Sequence, residues 1–290
     1  MGLREKLDKG EFTILAEMEP PKGVDVSPMV TCAQRVKGRV DAFMVPEMSN
    51  AVMRMSALGG AMVLQNQGLE AVMQVNCRDR NRLALQADLL AGWACGIPSV
   101  MAVAGEDPSY GDHHQARPVH DIDLLTLLAT IRKLCQGRDM AGIELKGAPD
   151  FTVGAFVYVG AKRRSPDIEI EELNKKAEAG AEFFITPPIF DMGVMDLFLN
   201  RIDSPQVKLI PTVMLLKSLG MARYMARNVD TAYIPDELIA RIAEAPDKVR
   251  ECIHIAAEMV TAIREAGFAG VMLATLGWEK KLPDILSKIQ

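Results

Sequence analysis

A chain of 290 residues with 49% hydrophobic content is long enough to bury a sizeable core, and its net charge of -5 provides none of the basic surface that nucleic acids or anionic membranes require. The five cysteines, at positions 32, 77, 95, 135 and 252, form no CxxC pair, which excludes a zinc ribbon and indicates free thiols in a reducing cytoplasm. No apolar run reaches the length of a membrane span, and the polar N-terminus is unlike a signal peptide.

Apolar runs of strand length alternate with amphipathic segments along the chain. The runs predict strands over residues 12–17, 40–45, 70–75, 99–104, 151–157, 182–186, 207–213 and 269–274. The segments between them have helical spacing and predict helices over 28–37, 51–66, 80–95, 122–135, 169–180, 191–201, 217–227, 235–243 and 247–266. Four of these helices are followed by a glycine, the residue that most often ends a helix.

Continuous apolar strands that alternate with helices are typical of a parallel sheet covered by helices. Eight such strands predict an α/β fold, a single (β/α)8 TIM barrel that forms one domain over residues 1–290. The alternative is a doubly wound open sheet, which is disfavoured because no GxGxxG turn follows a strand. In a barrel, functional residues gather at the carboxyl ends of the strands. The residues predicted there are Glu17, Pro46, Asn76, Glu106, Tyr158 and Pro187.

The stretch AEMEPPKG places two glutamates at the end of the first predicted strand. Strand alternation turns Glu17 and Glu19 to the same face, and the adjoining proline pair fixes the direction in which the chain leaves the strand. In a partly apolar barrel mouth the ionised form of a carboxyl group is disfavoured, so its pKa rises and it can donate a proton near neutral pH. The alternative is that both glutamates form surface ion pairs at the rim.

The stretch CRDRNR follows the third predicted strand and leads into a helix. Arg78, Arg80 and Arg82 at a helix N-terminus suit a phosphate or carboxylate ligand, with Asn81 as the helix cap. A salt-bridged helix start is an equally good interpretation.

A long loop rich in Gly, Pro and Asp lies between the fourth strand and its helix, and loops of this length usually serve a site. His113, His114 and His120 stand there beside Asp112 and Asp121. The histidines lack the i,i+4 spacing of a helical metal motif, so no metal site is predicted.

Two small residues, Gly154 and Ala155, lie inside the fifth predicted strand. They would let a flat group approach the backbone closely, or they would allow tight packing within the barrel. The sequence leaves both interpretations open.

Taken together, these stretches resemble the methylenetetrahydrofolate reductase family, flavin-dependent (β/α)8 barrels of one-carbon metabolism, over nearly the whole chain. The matching stretches are AEMEPPKG, CRDRN, GIPSVMAVAGEDP and KKAEAGAEFFITPPIFD. Four others, CRDRNRLALQADLL, GDHHQARPVHDID, GAPDF and LLKSLGMARYM, are similar to the subgroup of anaerobic one-carbon pathways. The resemblance implies a homo-oligomer and a partner that delivers electrons, or NAD(P)H in its place.

The resemblance also implies a reaction, the FAD-dependent reduction of 5,10-methylenetetrahydrofolate to 5-methyltetrahydrofolate or its reverse. Glu17 takes the place of the general acid that protonates N10 of the folate, and hydride from N5 of reduced FAD then reaches the methylene carbon. The positions that contact FAD correspond to Glu106, His120, Asp121, Ala155, Phe156, Glu169 and Lys176. The positions that contact the folate correspond to Glu17, Gln74, Glu106 and Pro187.

Four residues depart from the family pattern. Pro187 replaces a folate-contacting glutamine, Pro46 a flavin-contacting threonine and Glu106 an aspartate, and Gln74 stands where some members have histidine. A hydrogen bond lost to a buried partner typically costs about 1–3 kcal/mol. The departures therefore leave two alternatives open: a flavin-free methyltransferase acting between tetrahydrofolate and a corrinoid partner protein, and a non-catalytic folate-binding subunit.

Overall fold

The computed structural model describes residues 1–159, 165–199 and 207–289, whose eight parallel strands close into a barrel in chain order from β1 to β8. The strands are β1 Thr13–Glu17, β2 Ala42–Val45, β3 Ala71–Asn76, β4 Ser99–Val103, β5 Thr152–Phe156, β6 Phe183–Pro188, β7 Lys208–Met214 and β8 Gly270–Ala274. Each strand pairs with the next, and β8 pairs with β1. The predicted TIM barrel is confirmed, and the open sheet is wrong.

Helices surround the barrel. They are α1 Leu3–Lys9, α2 Ser27–Arg35, α3 Ala57–Asn66, α4 Arg82–Ala94, α5 Leu124–Cys135, α6 Pro166–Ala179, α7 Gly193–Leu199, α8 Leu219–Asn228, α9 Asp236–Glu244, α10 Lys248–Glu265 and α11 Leu282–Leu286. Within the described ranges, none of these helices has both the length and the apolar character needed to cross a membrane. The last two residues of the helix predicted over 191–201 lie outside the described residues.

The helix predicted over 51–66 begins six residues later, at Ala57. Asn50 and Ala51 have positive φ angles of 54° and 55°, a backbone conformation that cannot continue a right-handed helix. Ser56 then caps α3 by accepting a hydrogen bond from the backbone N–H of Gly59. The loop before α3 therefore remains at the mouth of the barrel.

The amino end of the barrel is closed by α1, a helix that the apolar pattern does not predict. Leu3 and Leu7 of α1 are buried against the side chains that fill the barrel axis. Ion pairs from Lys6 to Asp41 and from Lys208 to Asp8 fasten the helix to the starts of the strands. Since this end is plugged, a ligand enters the barrel from the carboxyl ends of the strands.

Gly154 on β5 faces the barrel axis where Phe183 and Met101 fill the space. A Cβ atom at this position would lie 2.3 Å from Cζ of Phe183 and 2.8 Å from Sδ of Met101. Its neighbour Ala155 is fully buried on the other side of the strand, in the apolar layer between the sheet and the helices. The contacts of both residues are those of tight packing.

The substitution Gly154→Ala is expected to lower the free energy of unfolding by about 1–3 kcal/mol, because the added methyl group overpacks the axis. Urea denaturation measures the change. Gly220→Ala on α8 is the matched control, since the nearest atom to an added Cβ there is Oγ of Ser218 at 3.7 Å. Phe183→Leu should restore part of the stability lost in Gly154→Ala. Wild-type stability in Gly154→Ala would contradict the packing interpretation.

Candidate functional site

A cavity of about 620 Å³ opens at the carboxyl ends of the strands. Its walls combine apolar side chains with a small number of polar ones, the composition that small-molecule sites usually have. The apolar side chains include Met44, Phe156, Ile185, Met214 and Met272. The polar ones include Glu17, Glu19, Gln74, Glu106 and Lys176. Several residues predicted at this end of the barrel therefore share one cavity.

Glu17 is the last residue of β1 and lines this cavity. Burial, together with the negative charges of Glu19 and Glu279, raises the pKa of its carboxyl group from 4.5 to about 7. A carboxyl group with this pKa is about half protonated at neutral pH. Glu17 is therefore able to donate a proton to a bound ligand and to take one back.

Glu19 lies on the same face as Glu17 and is paired with Arg54, from the loop before α3. Nε of Arg54 is 2.8 Å from Oε1 of Glu19. Burial raises the pKa of Glu19, and the charge of Arg54 opposes that rise. Arg54 and Glu19 also line a smaller neighbouring cavity of about 250 Å³, which reaches Glu279. The rim ion pair predicted as the alternative for both glutamates is present for Glu19.

Gln74 reaches the cavity from β3. Its Oε1 accepts a hydrogen bond of 2.7 Å from the backbone N–H of Glu47, and within the described part of the chain no acceptor is found for its amide NH2 group. The amide orientation follows from this hydrogen bond. Gln74 thus offers the cavity a hydrogen-bond donor.

Pro46 and Pro187 also line the cavity, where they present ring carbons instead of hydrogen-bonding side chains. The pairing of β6 with β7 shifts register between Ile185 and Pro188. Buried Thr212 stabilises this irregular stretch by donating from Oγ1 to the carbonyl of Thr186 at 2.6 Å. The adjacent prolines of β6, Pro187 and Pro188, therefore belong to an ordered wall of the site.

The end of β4 forms another wall through Ala104, Gly105 and Glu106. The backbone N–H groups of these three residues donate no hydrogen bond to any described residue. The carbonyl of Glu106 accepts from Nη1 of the buried Arg78 at 3.2 Å, and its carboxylate lies 3.6 Å from the same atom. Arg78 thus holds this wall in place, with the Glu106 side chain largely exposed at the cavity mouth.

The three arginines after β3 are all occupied by carboxylates of the protein. Arg78 forms two hydrogen bonds of 2.7 Å with Asp79. Arg80 pairs with Glu47 and Asp88, and Arg82 pairs with Asp121. Asn81 caps α4 by accepting from the N–H groups of Leu83 and Ala84. These contacts favour the salt-bridged helix start over an anion site.

Two other predicted residues hold the end of β5. Nζ of Lys176, a cavity-lining residue, donates to the carbonyl of Phe156 at 2.9 Å. Oε2 of the buried Glu169 accepts from the N–H of Tyr158 at 3.1 Å. Lys176 and Glu169 therefore position the strand end that carries Phe156 and Tyr158, both of which line the cavity.

His120 and Asp121 lie outside the cavity lining. Both are exposed, and Asp121 is engaged by Arg82 at the start of α4. His113 contacts Asp112 at 2.9 Å, and no group of three His, Cys, Asp or Glu residues in the described ranges is arranged to hold a metal ion. The assignment of His120 and Asp121, like those of Ala155 and Glu169, remains a prediction from resemblance.

Sequence reasoning missed Arg54 and Glu279. Arg54 stands in a loop that was predicted as helix, and Glu279 follows β8 in an ordinary charged run, WEKK. The sequence feature that could have indicated a cation here is the pair of carboxylates on one face of β1, since a partly buried acid usually has a cationic partner. The sequence does not show which cation it is.

Comparison with known proteins gives one family. A family model described as Methylenetetrahydrofolate reductase matches residues 2–290. Methylenetetrahydrofolate reductase 2 of Schizosaccharomyces pombe is 24% identical over 193 residues, 64% of this chain and 29% of that protein. Methylenetetrahydrofolate reductase (NADH) 1 of Arabidopsis thaliana is 26% identical over 230 residues, 76% of this chain and 38% of that protein. The chain thus spans less than half the length of these relatives.

Solved structures with this fold include an uncharacterized protein from Clostridium thermocellum that binds two copies of 5-methyl-5,6,7,8-tetrahydrofolic acid. It aligns with a TM-score of 0.67 and 12% identity over 99% of this chain and 97% of that one. The EDTA monooxygenase from Chelativorans sp. BNC1 aligns with a TM-score of 0.59 and 11% identity over 96% and 93% of the two chains. At these identities the likeness shows the barrel fold alone.

Proposed function

Because the chain belongs to the methylenetetrahydrofolate reductase family, we propose that it interconverts 5,10-methylenetetrahydrofolate and 5-methyltetrahydrofolate with FAD as cofactor. The observation that carries the proposal is Glu17, a carboxyl group with a pKa of about 7 in the wall of a cavity of about 620 Å³. The electrons come from NAD(P)H or from a partner protein. The solved protein that binds 5-methyltetrahydrofolate shares the barrel and supports a folate ligand.

Glu17 acts in this proposal as a general acid. The five-membered ring of methylenetetrahydrofolate opens at the bond between the methylene carbon and N10, and N10 leaves more readily when it is protonated. A carboxylic acid whose pKa matches the working pH is suited to give that proton. In the reverse direction the Glu17 carboxylate accepts the proton from N10.

Residues around Glu17 offer complementary groups for the pterin ring. The amide NH2 of Gln74 is available for a ring acceptor, and the carboxylate of Glu106 at the cavity mouth is available for a ring N–H donor. Pro187 presents an apolar surface to the face of the ring. These roles are proposed from their positions along the cavity wall.

The cavity wall is also compatible with a flavin. The unused N–H groups of Ala104, Gly105 and Glu106 suit the carbonyl oxygens at the edge of the flavin ring, and Phe156 supplies an apolar surface for its face. Lys176 adds a positive charge beside Phe156. When bound, reduced flavin supplies the hydride that converts the methylene group to methyl. Glu169 supports this wall by accepting a hydrogen bond from the N–H of Tyr158. His120, Asp121 and Ala155 are proposed as FAD contacts from the resemblance.

The absorption spectrum of the protein tests the cofactor. We expect protein purified or reconstituted with FAD to show the bands of bound oxidised flavin. Phe156→Ala should weaken FAD binding by about tenfold or more, because it removes the apolar face of the site. Leu83→Ala, at an exposed position on α4, is the control and should leave FAD binding unchanged. Protein that stays colourless after reconstitution would contradict a flavin enzyme.

A flavin-free methyltransferase is the second candidate, and Pro46 and Pro187 favour it. These two cavity residues have no hydrogen-bonding side chain where the family has a flavin-contacting threonine and a folate-contacting glutamine. In that reaction Glu17 would protonate a folate nitrogen as a methyl group passes between tetrahydrofolate and a corrinoid protein. Folate binding without flavin, together with methyl exchange with a cobalamin protein, would identify this activity.

A further inference from the structure

Arg54 lies at the boundary between the main cavity and its smaller neighbour, in contact with Glu19. Its Nη1 also donates to the carbonyl of Pro20 at 3.4 Å, which ties the guanidinium group to the turn after β1. Glu19 is two residues from Glu17 on the same face of the chain. Arg54 therefore contacts the immediate neighbour of the proposed acid.

Some charges act on Glu17 directly, and others act on its neighbour Glu19. The negative charges of Glu19 and Glu279 act directly on Glu17. The positive charges of Arg54 and Lys217 act on Glu19, which also feels Glu279. Arg54 is thus linked to Glu17 through Glu19.

We propose that Arg54 and Glu19 are positioning residues that control the proton on Glu17: Arg54 holds Glu19 as a carboxylate at a fixed place, and that fixed negative charge favours the protonated form of Glu17. Glu19 is itself in a site that disfavours its charge, so without Arg54 it competes with Glu17 for the same proton. The arrangement separates two similar carboxyl groups into one acid and one carboxylate. The use of that proton on a folate rests on the proposed function.

The two substitutions shift the titration in opposite directions. Glu19→Gln removes a negative charge beside Glu17, so the midpoint of Glu17 falls below its wild-type pKa of about 7. Arg54→Met removes the cation that contacts Glu19, so the pair of carboxyl groups takes up its first proton at a higher pH than in the wild type. In Glu19→Gln protein the further change Arg54→Met should have no effect on Glu17, because the link between them is gone.

The experiment is a pH titration by NMR of protein labelled with ¹³C at the glutamate side chains. Resonances of Glu17 and Glu19 are assigned from Glu17→Gln and Glu19→Gln, and the titration needs neither folate nor flavin. Arg54→Lys should keep the wild-type midpoints, because it retains the positive charge. Lys280→Met is the control for a nearby lost charge and should leave both midpoints in place, since Lys280 is in the lining of neither cavity.

A shift caused by Arg54→Met that is equally large in the Glu19→Gln protein would overturn the proposal, as would an unchanged Glu17 midpoint in Glu19→Gln itself. The latter test stands even if Arg54→Met does not fold. Where folate turnover is measurable, Glu19→Gln should lower kcat/KM at pH 8 by roughly three- to tenfold and move the decline of its pH profile to lower pH. Absence of all folate turnover would count against the proposed function and leave the titration result standing.

Discussion

Glu17→Gln is expected to reduce kcat for a folate substrate by roughly 10²–10⁴-fold, while folate binding is retained. Glutamine preserves the size and much of the polarity of the side chain, but it cannot donate a proton of suitable acidity to N10. The ring of methylenetetrahydrofolate then opens without acid catalysis. Steady-state turnover and equilibrium folate binding, measured on the same preparation, separate the chemical step from affinity.

Glu70→Gln is a matched control for this variant. Burial raises the pKa of Glu70 as it does that of Glu17, but Glu70 accepts a hydrogen bond from the N–H of Leu3 at the closed end of the barrel. Turnover should therefore persist in Glu70→Gln. Near wild-type turnover in Glu17→Gln would remove Glu17 as the general acid of the mechanism.

The strand pattern was predictable because each strand is buried on both faces. Six of the eight predicted strands agree with the observed bounds to within one residue at both ends, and β2 and β6 differ by two residues at one end. A continuous apolar run with polar residues on either side leaves little choice in where the strand begins and ends. Because the strands are parallel, their carboxyl ends meet at one opening, and this alone placed Glu17, Pro46 and Pro187 together.

The local sequence pattern did not predict elements whose conformation depends on contacts with distant residues. Helix α1 is mostly charged, and Leu3 and Leu7 are recognisable as core residues only from their packing at the amino end of the barrel. The loop before α3 has helical composition, yet Asn50 and Ala51 take positive φ angles there. Contacts across the mouth shape this loop, because the N–H of Met53 donates to Asp112 of the β4–α5 loop at 2.9 Å.

The same limit applies to the site. Glu17 was recognisable from its place at a strand end, but Arg54, which pairs with Glu19, and Glu279, which acts on Glu17, come from segments far apart in the sequence. The pairing of Arg82 with Asp121 across 39 residues likewise depends on the folded chain. Spacing within a motif predicts which strand end carries a group, whereas charge pairing between loops requires the folded barrel.

The raised pKa of Glu17 has a consequence for stability that does not depend on the substrate. Its folded-state pKa of about 7 lies above the ordinary value of 4.5, so the folded state holds the proton more tightly than the unfolded state does. Below pH 4.5 Glu17 is protonated in both states and does not lower the free energy of unfolding. As the pH rises from 4.5 through 7, the unfolded state loses the proton first, and the free energy of unfolding falls. Glutamine, which cannot ionise, should remove that loss.

Glu17→Gln is accordingly expected to be more stable than the wild type at pH 8, by about 1–3 kcal/mol in the free energy of unfolding, and equal to it near pH 4.5. Urea denaturation of both proteins at the two pH values measures the difference. Glu5→Gln should give no gain at pH 8, because the hydrogen bond from Lys9 lowers the pKa of Glu5. A gain of equal size at both pH values would show that packing, and not ionisation, is responsible. A gain confined to high pH, together with lost turnover, would mean that the fold gives up stability to keep an acid in the cavity wall.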